Sequence, residues 1–112
     1  MSEAGVVVYE RKGRSLEGIW THESIHGVVG REVVEDVEEG RFDGNWKVEI
    51  FLPTQAGPIY EGRLISEPLG SAYLLRWIGF RTANGSRQNF KGIGLWRDSG
   101  ILVASFQEVV EA

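Results

Sequence analysis

Cysteine is absent from the 112-residue sequence. That excludes disulfides and thiolate metal sites and fits a protein of the cytoplasm. No apolar run approaches the roughly 20 residues that a helix needs to span a bilayer. No basic start followed by a long apolar stretch marks a signal peptide. A cytoplasmic protein with no membrane partner is therefore expected. Basic charge is also short, with 12 Lys+Arg against 16 Asp+Glu and a net charge of -4. A nucleic-acid binder presents a basic face, so no nucleic-acid partner is expected. The acidic residues concentrate early, in Glu32, Glu35, Asp36, Glu38 and Glu39, and most charges read as solvated surface; Glu35 to Glu39 reads as a solvated strand end, without the spacing of a calcium loop.

Motifs of catalysis are missing too. There is no Gly-rich phosphate loop, no serine-nucleophile motif and no paired acidic motif. Gly92-Ile93-Gly94 lies in a strand pattern with no helix after it, so it is not a dinucleotide fingerprint. His22, Glu23 and His26 are the only cluster with metal-ligating or proton-moving side chains. Their i, i+4 spacing shares a face only on a helix, and this stretch reads as a strand end entering a turn. His22 and His26 are expected at a barrel mouth, with Arg31 near them, and not as a metal site. No catalytic residue and no cofactor are assigned.

Glycine and tryptophan are what the sequence does have, 15 and 4 of them against three prolines. Turn signals recur at short intervals: Lys12-Gly13-Arg14, Glu39-Gly40, Pro53 to Gly57, Pro68 to Gly70, Asn84-Gly85 and Asp98-Ser99-Gly100. Eight strand-like runs lie between them, at 5–10, 16–23, 28–38, 41–52, 58–67, 72–82, 88–97 and 101–109. Short strands with tight turns read as an all-β sandwich or barrel, and connections this short favour a meander in which each strand pairs with the next. The run 41–52 alternates most clearly. Phe42, Gly44, Trp46, Val48, Ile50 and Leu52 share one face, and Arg41, Asp43, Asn45, Lys47 and Glu49 share the other.

A short signature recurs inside the runs: apolar, charged, Gly, any, apolar. Its copies are Leu16–Trp20, Phe42–Trp46 and Tyr60–Leu64, with a weaker fourth at Phe90–Gly94. Glycine weakens an ordinary strand, so its repetition needs a cause. Curvature of a closing sheet is one. Room for a bulky neighbour is another, and interior volume beside a tryptophan is a third.

This signature, with its opening Gly18-Ile19-Trp20, resembles the avidin and streptavidin family and, more broadly, the lipocalin-like (calycin) barrels. The resemblance spans about residues 16 to 106 as a pattern. It implies a single domain, residues 1–112, folded as an eight-stranded antiparallel up-and-down barrel that binds a small molecule inside. Only seven runs follow from Gly-x-Trp onward, so Gly5–Glu10 is expected to close the barrel between the last strand and Leu16–Glu23. The residues that hold biotin in avidin are not matched. His22 stands where an asparagine is expected, Lys47 and Val48 follow the second copy in place of a serine, and no aspartate occurs after Asp98. Biotin is therefore not carried over. The lipocalin group also places a basic residue over its opening tryptophan, for which Arg76 and Arg97 are the candidates here.

On this fold the repeat's face points inward. Trp20, Phe42, Trp46, Tyr60, Tyr73, Trp77, Phe90 and Trp96 then line the interior, Trp77 sharing its face with Tyr73, Leu75 and Gly79. Such a lining suits a flat apolar or aromatic ligand, or else it fills a solid core. On the outside, Leu74, Ile78, Phe80, Ile93 and Leu95 form an apolar wall, the expected interface of a homo-oligomer and most simply a dimer. A slip of one residue in 72–82 would exchange its two faces. Three functions fit: a non-catalytic small-molecule binder, an oligomeric module with a solid core, or an enzyme working at the barrel mouth.

Overall fold

The computed structural model describes residues 3–38, 43–53, 57, 60–81, 87–97 and 100–109. Eight strands follow one another: β1 (Ala4–Lys12), β2 (Ser15–His22), β3 (Gly30–Val34), β4 (Gly44–Phe51), β5 (Tyr60–Leu69), β6 (Ala72–Arg81), β7 (Arg87–Arg97) and β8 (Ile101–Glu108). Each pairs antiparallel with the next, and β1 pairs with β8, so the sheet closes into an up-and-down barrel. The closing seam is the expected one, with Val7 opposite Trp20 on one side and Ala104 on the other. Closure removes both sheet edges, which would otherwise present unpaired backbone groups.

Alternation decides what is inside. In β1, Val7 and Tyr9 are buried while Val6 and Val8 are exposed. Trp46, Val48 and Ile50 are buried in β4, as the pattern in 41–52 requires, whereas Phe42 itself lies outside the described residues. Leu102, Ala104 and Phe106 fill the inner face of β8.

Two expectations fail, each for a backbone reason. The run 28–38 forms a strand only over Gly30–Val34. Asp36 adopts a left-handed φ of 58°, and the chain then turns against the β1–β2 turn. Val37 is fully buried there, its amide bonded to the Arg14 carbonyl at 2.8 Å. The second failure is Phe80, expected on the outer wall but 1 % exposed in the core. Trp77 pairs with Phe90 and Phe80 with Gln88, so Ile78 and Gly79 together oppose Asn89. This bulge inserts one residue and reverses the alternation. Gly79 carries it at φ 76°, and its amide donates to Asn89 Oδ1 at 2.9 Å. Gly79 is accordingly exposed and does not share the inner face of Tyr73, Leu75 and Trp77.

The repeated glycines make room for rings and backbone. A Cβ on Gly18 would stand 2.7 Å from the Tyr9 ring, one on Gly44 2.8 Å from the Trp46 ring, and one on Gly62 2.6 Å from the Ile78 carbonyl oxygen and 3.0 Å from the Phe80 ring. The volume beside these glycines is therefore occupied.

Candidate functional site

The barrel's two ends differ. At the end reached by the β1–β2 and β7–β8 turns, Leu16, Val34, Val37, Val48, Leu64, Leu75 and Leu102 are all fully buried. Trp46 joins them, and Tyr73 and Trp96 pack against the same core. The Arg11 guanidinium lies 5.8 Å above the Trp96 ring. This end is solid, and Trp46, Tyr73 and Trp96 line neither of the two chambers at the other end.

The opposite end is hollow. A deep chamber of about 50 Å³ is bounded by Trp20, Glu32, Ile50, Tyr60, Trp77, Phe80, Gln88, Phe90 and Phe106. It shares Trp20, Tyr60, Gln88, Phe90 and Phe106 with an outer chamber of about 340 Å³, which adds Glu3, His22, Ser24, Ile25 and Glu108. Phe106 is the hub of the wall. Its ring centroid is 5.6 Å from those of Trp77, Phe90 and His22, edge-on to Phe90 and stacked with His22. Trp20 is fixed by its indole N–H, which donates to the Arg31 carbonyl at 3.2 Å. Of the inward aromatic residues expected from sequence, Trp20, Tyr60, Trp77 and Phe90 therefore meet at one chamber.

At the floor lies the only carboxylate among the described residues that line the deep chamber. Glu32 is 5 % exposed. The Trp77 indole N–H donates to the Tyr9 hydroxyl at 2.9 Å, and that hydroxyl donates to Glu32 Oε2. Both protons thus run toward the carboxylate. Burial nevertheless dominates and pushes the Glu32 carboxyl from 4.5 to about 7, with Tyr9 and Trp77 pulling the other way. Burial, then the charge on Glu32, pushes the Tyr9 hydroxyl well above its usual range. A carboxyl whose ionisation is balanced near neutrality in a cleft is a functional candidate.

Sequence reading placed Glu32 among solvated acids, and the structure corrects this. The signal was present: in β3, Gly30, Glu32 and Val34 alternate onto one face, where Glu32 pairs with Gly18 and Val34 with Leu16. Tyr9, Gln88 and Phe106 were also missed, although Gly5, Val7 and Tyr9 alternate in the same way.

His22 lines the outer chamber, and His26, in the turn that follows β2, does not line it. The turn Glu23–Ile25 follows β2; His26 ends it in a left-handed conformation and is exposed. His22 Nδ1 accepts from the Ser24 amide at 3.1 Å, and Nε2 is buried without a hydrogen-bond partner. Glu23 is tied to β1, accepting from the Ala4 amide at 2.6 Å. Among the described residues no three His, Asp or Glu side chains gather to hold a metal. Arg76 lies 3.6 Å from Glu67, and the cation over a tryptophan is Arg11, above Trp96 and not Trp20. Comparison with known proteins finds no matching family model, no matching curated protein and no matching solved structure.

Proposed function

We propose that this protein is a non-catalytic binder of a small aromatic molecule, held in the hollow end of the barrel. The observation that carries the reading is the division of the interior: a solid half fixes the shape, and an aromatic-walled half ends on one buried carboxylate. Ligand sites are concave and mostly apolar, with few oriented polar groups. Glu32, Gln88, Tyr60 and His22 are such groups here. A one-ended binding barrel is also the calycin arrangement, which is the finer family reading that the Gly-x-Trp opening and the meander support.

The test is binding of N-phenyl-1-naphthylamine, read by its emission. The wild-type protein is expected to saturate it. Ile50→Trp, which adds a ring to the deep chamber, should weaken binding at least tenfold, while Trp96→Phe at the solid end leaves it unchanged. Equal binding by all three proteins contradicts the assignment.

A second reading concerns the outside, where a row of exposed apolar residues favours a partner. Ile19, Val8, Val103 and Leu95 lie directly opposite one another across β2, β1, β8 and β7, and all four are exposed. Of the other residues expected in the wall, Ile93 is exposed and pairs with the half-buried Leu74, Ile78 is half-buried, and Phe80 lies in the core. We infer that a second copy of the chain covers this row. A twofold axis along the strands between β1 and β8 sets Leu95 against Ile19 of the second copy. In the neighbouring row, Glu17, Glu10, Ile101 and Arg97 follow one another, and the same axis brings Arg97 onto Glu17 of the second copy. Light scattering on a sizing column should give a dimer. Arg97→Glu should shift it toward monomer, and adding Glu17→Arg should restore it. A wild-type monomer at 1 mM overturns the interface.

A further inference from the structure

Among the described residues the chambers are lined by carboxylates and by no lysine or arginine: Glu32 stands at the floor and Glu3 and Glu108 at the mouth. The walls between floor and mouth are the faces and edges of Trp20, Tyr60, Trp77, Phe90 and Phe106.

Two physical facts bear on this arrangement. A buried carboxylate with no counter-charge is costly, and the usual remedy is a partner of opposite sign. Aromatic rings present negative faces that attract cations, more strongly where water is excluded. The hydrogen bonds at the floor already favour the charged form of Glu32. Trp77 donates to Tyr9 and Tyr9 donates to Glu32, so both protons of the chain point toward the carboxylate. Those bonds fix one oxygen and hold the side chain in place; what they do not supply is a positive charge.

We infer that the ligand of this barrel is a flat organic cation, a protonated aryl amine or amidine, whose ring lies among Trp20, Phe90 and Phe106 and whose charged nitrogen meets Glu32. This rests on the reading of the hollow end as a binding site and adds the chemical class. An amidine offers N–H donors in one plane, which matches a carboxylate edge. Glu3 and Glu108 at the mouth raise the local concentration of a cation before it enters. The same charges turn away carboxylates and phosphates of similar shape, which gives the site its discrimination.

The test is calorimetry at pH 8 with three probes of one shape: benzamidine as the cation, benzamide as its neutral counterpart and benzoate as the anion. Benzamidine is expected to bind at least tenfold tighter than benzamide, and benzoate not at all. In Glu32→Gln, benzamidine and benzamide should bind within about threefold of each other. Benzamide or benzoate binding as tightly as benzamidine to the wild-type protein overturns the cation assignment while leaving the binding site intact. Retention of the full benzamidine preference in folded Glu32→Gln overturns the role of Glu32. If none of the three probes binds and N-phenyl-1-naphthylamine also fails, the binding site itself is refuted. The wild-type comparison needs no variant, so it stands even if Glu32→Gln does not fold.

Discussion

Glu32→Gln should become progressively more stable relative to the wild-type protein as pH rises from 4.5 to 8. The cause is linkage between folding and protonation. In the unfolded chain the Glu32 carboxyl titrates at its ordinary 4.5, and burial raises it to about 7 in the folded barrel. Between those values the native state holds a proton that the unfolded state has released. Stability contributed by the protonated group is fully present below 4.5, is lost as pH rises through about 7, and does not return above it. A shift of this size corresponds to about 3 kcal/mol, a large share of the roughly 5–15 kcal/mol that holds a small domain folded. Gln keeps the oxygen that accepts from Tyr9 but cannot ionise. Urea unfolding of both proteins at pH 4.5, 6 and 8 should show the difference growing by that amount, with most of the change before pH 7.5. Parallel profiles across the range would mean that Glu32 is ionised in the barrel as readily as in water. The same logic predicts that a bound cation restores much of the stability lost at high pH.

Gly92→Ala is expected to be the most damaging conservative change in the chain. Gly92 faces Phe106 across the β7–β8 ladder, and a Cβ there would fall on the Ser105 carbonyl oxygen, with the carbonyl carbon at 2.8 Å. Both are backbone atoms of a paired strand, so relief requires the two strands to part beside the chamber. Gly94→Ala meets only the Cδ1 ends of Leu102 and Leu75, each at 2.9 Å, with the Val103 carbonyl oxygen at 3.3 Å; the leucines can turn. Gly79→Ala meets nothing within 4 Å but must hold φ 76°. The expected losses are at least about 4 kcal/mol for Gly92, about 2 kcal/mol for Gly94 and about 1 kcal/mol for Gly79. Chemical denaturation of the three variants checks the ranking. Gly92→Ala and Gly94→Ala losing equal stability would show that the β8 backbone yields.

Most of the architecture was legible because closure of a small barrel forces a simple code. Period-two alternation in 41–52 carries through to the buried face of β4. Turn residues mark every strand change but the one between β2 and β3, and the run that begins at Gly5 supplies the closing strand. What was illegible has local causes. The bulge at Ile78 and Gly79 adds one residue, and parity alone cannot show where an extra residue sits, so Phe80 was placed outside. Asp36 leaves the strand through a left-handed turn, which let 28–38 read as one long strand. The site was half legible. Aromatic residues two apart along the strands pointed to the interior, but not to which end of it. Trp20 and Trp46 stand in equivalent copies of one signature and end at opposite ends, one beside the cavity and the other in solid core. Glu32 was obscured by its neighbours: four more acids follow within seven residues, and a single inward carboxylate inside a charged run looks like solvated surface.

The four tryptophans give the most direct measurement of the central claim, that one end of this barrel is a ligand chamber and the other is not. Each indole N–H gives its own signal in a ¹H–¹⁵N spectrum. Titration with benzamidine, or with N-phenyl-1-naphthylamine if the cation preference fails, should move the Trp20 and Trp77 indole signals and leave those of Trp46 and Trp96 in place. Movement of Trp46 and Trp96 with Trp20 and Trp77 unmoved, or equal movement of all four, contradicts the account.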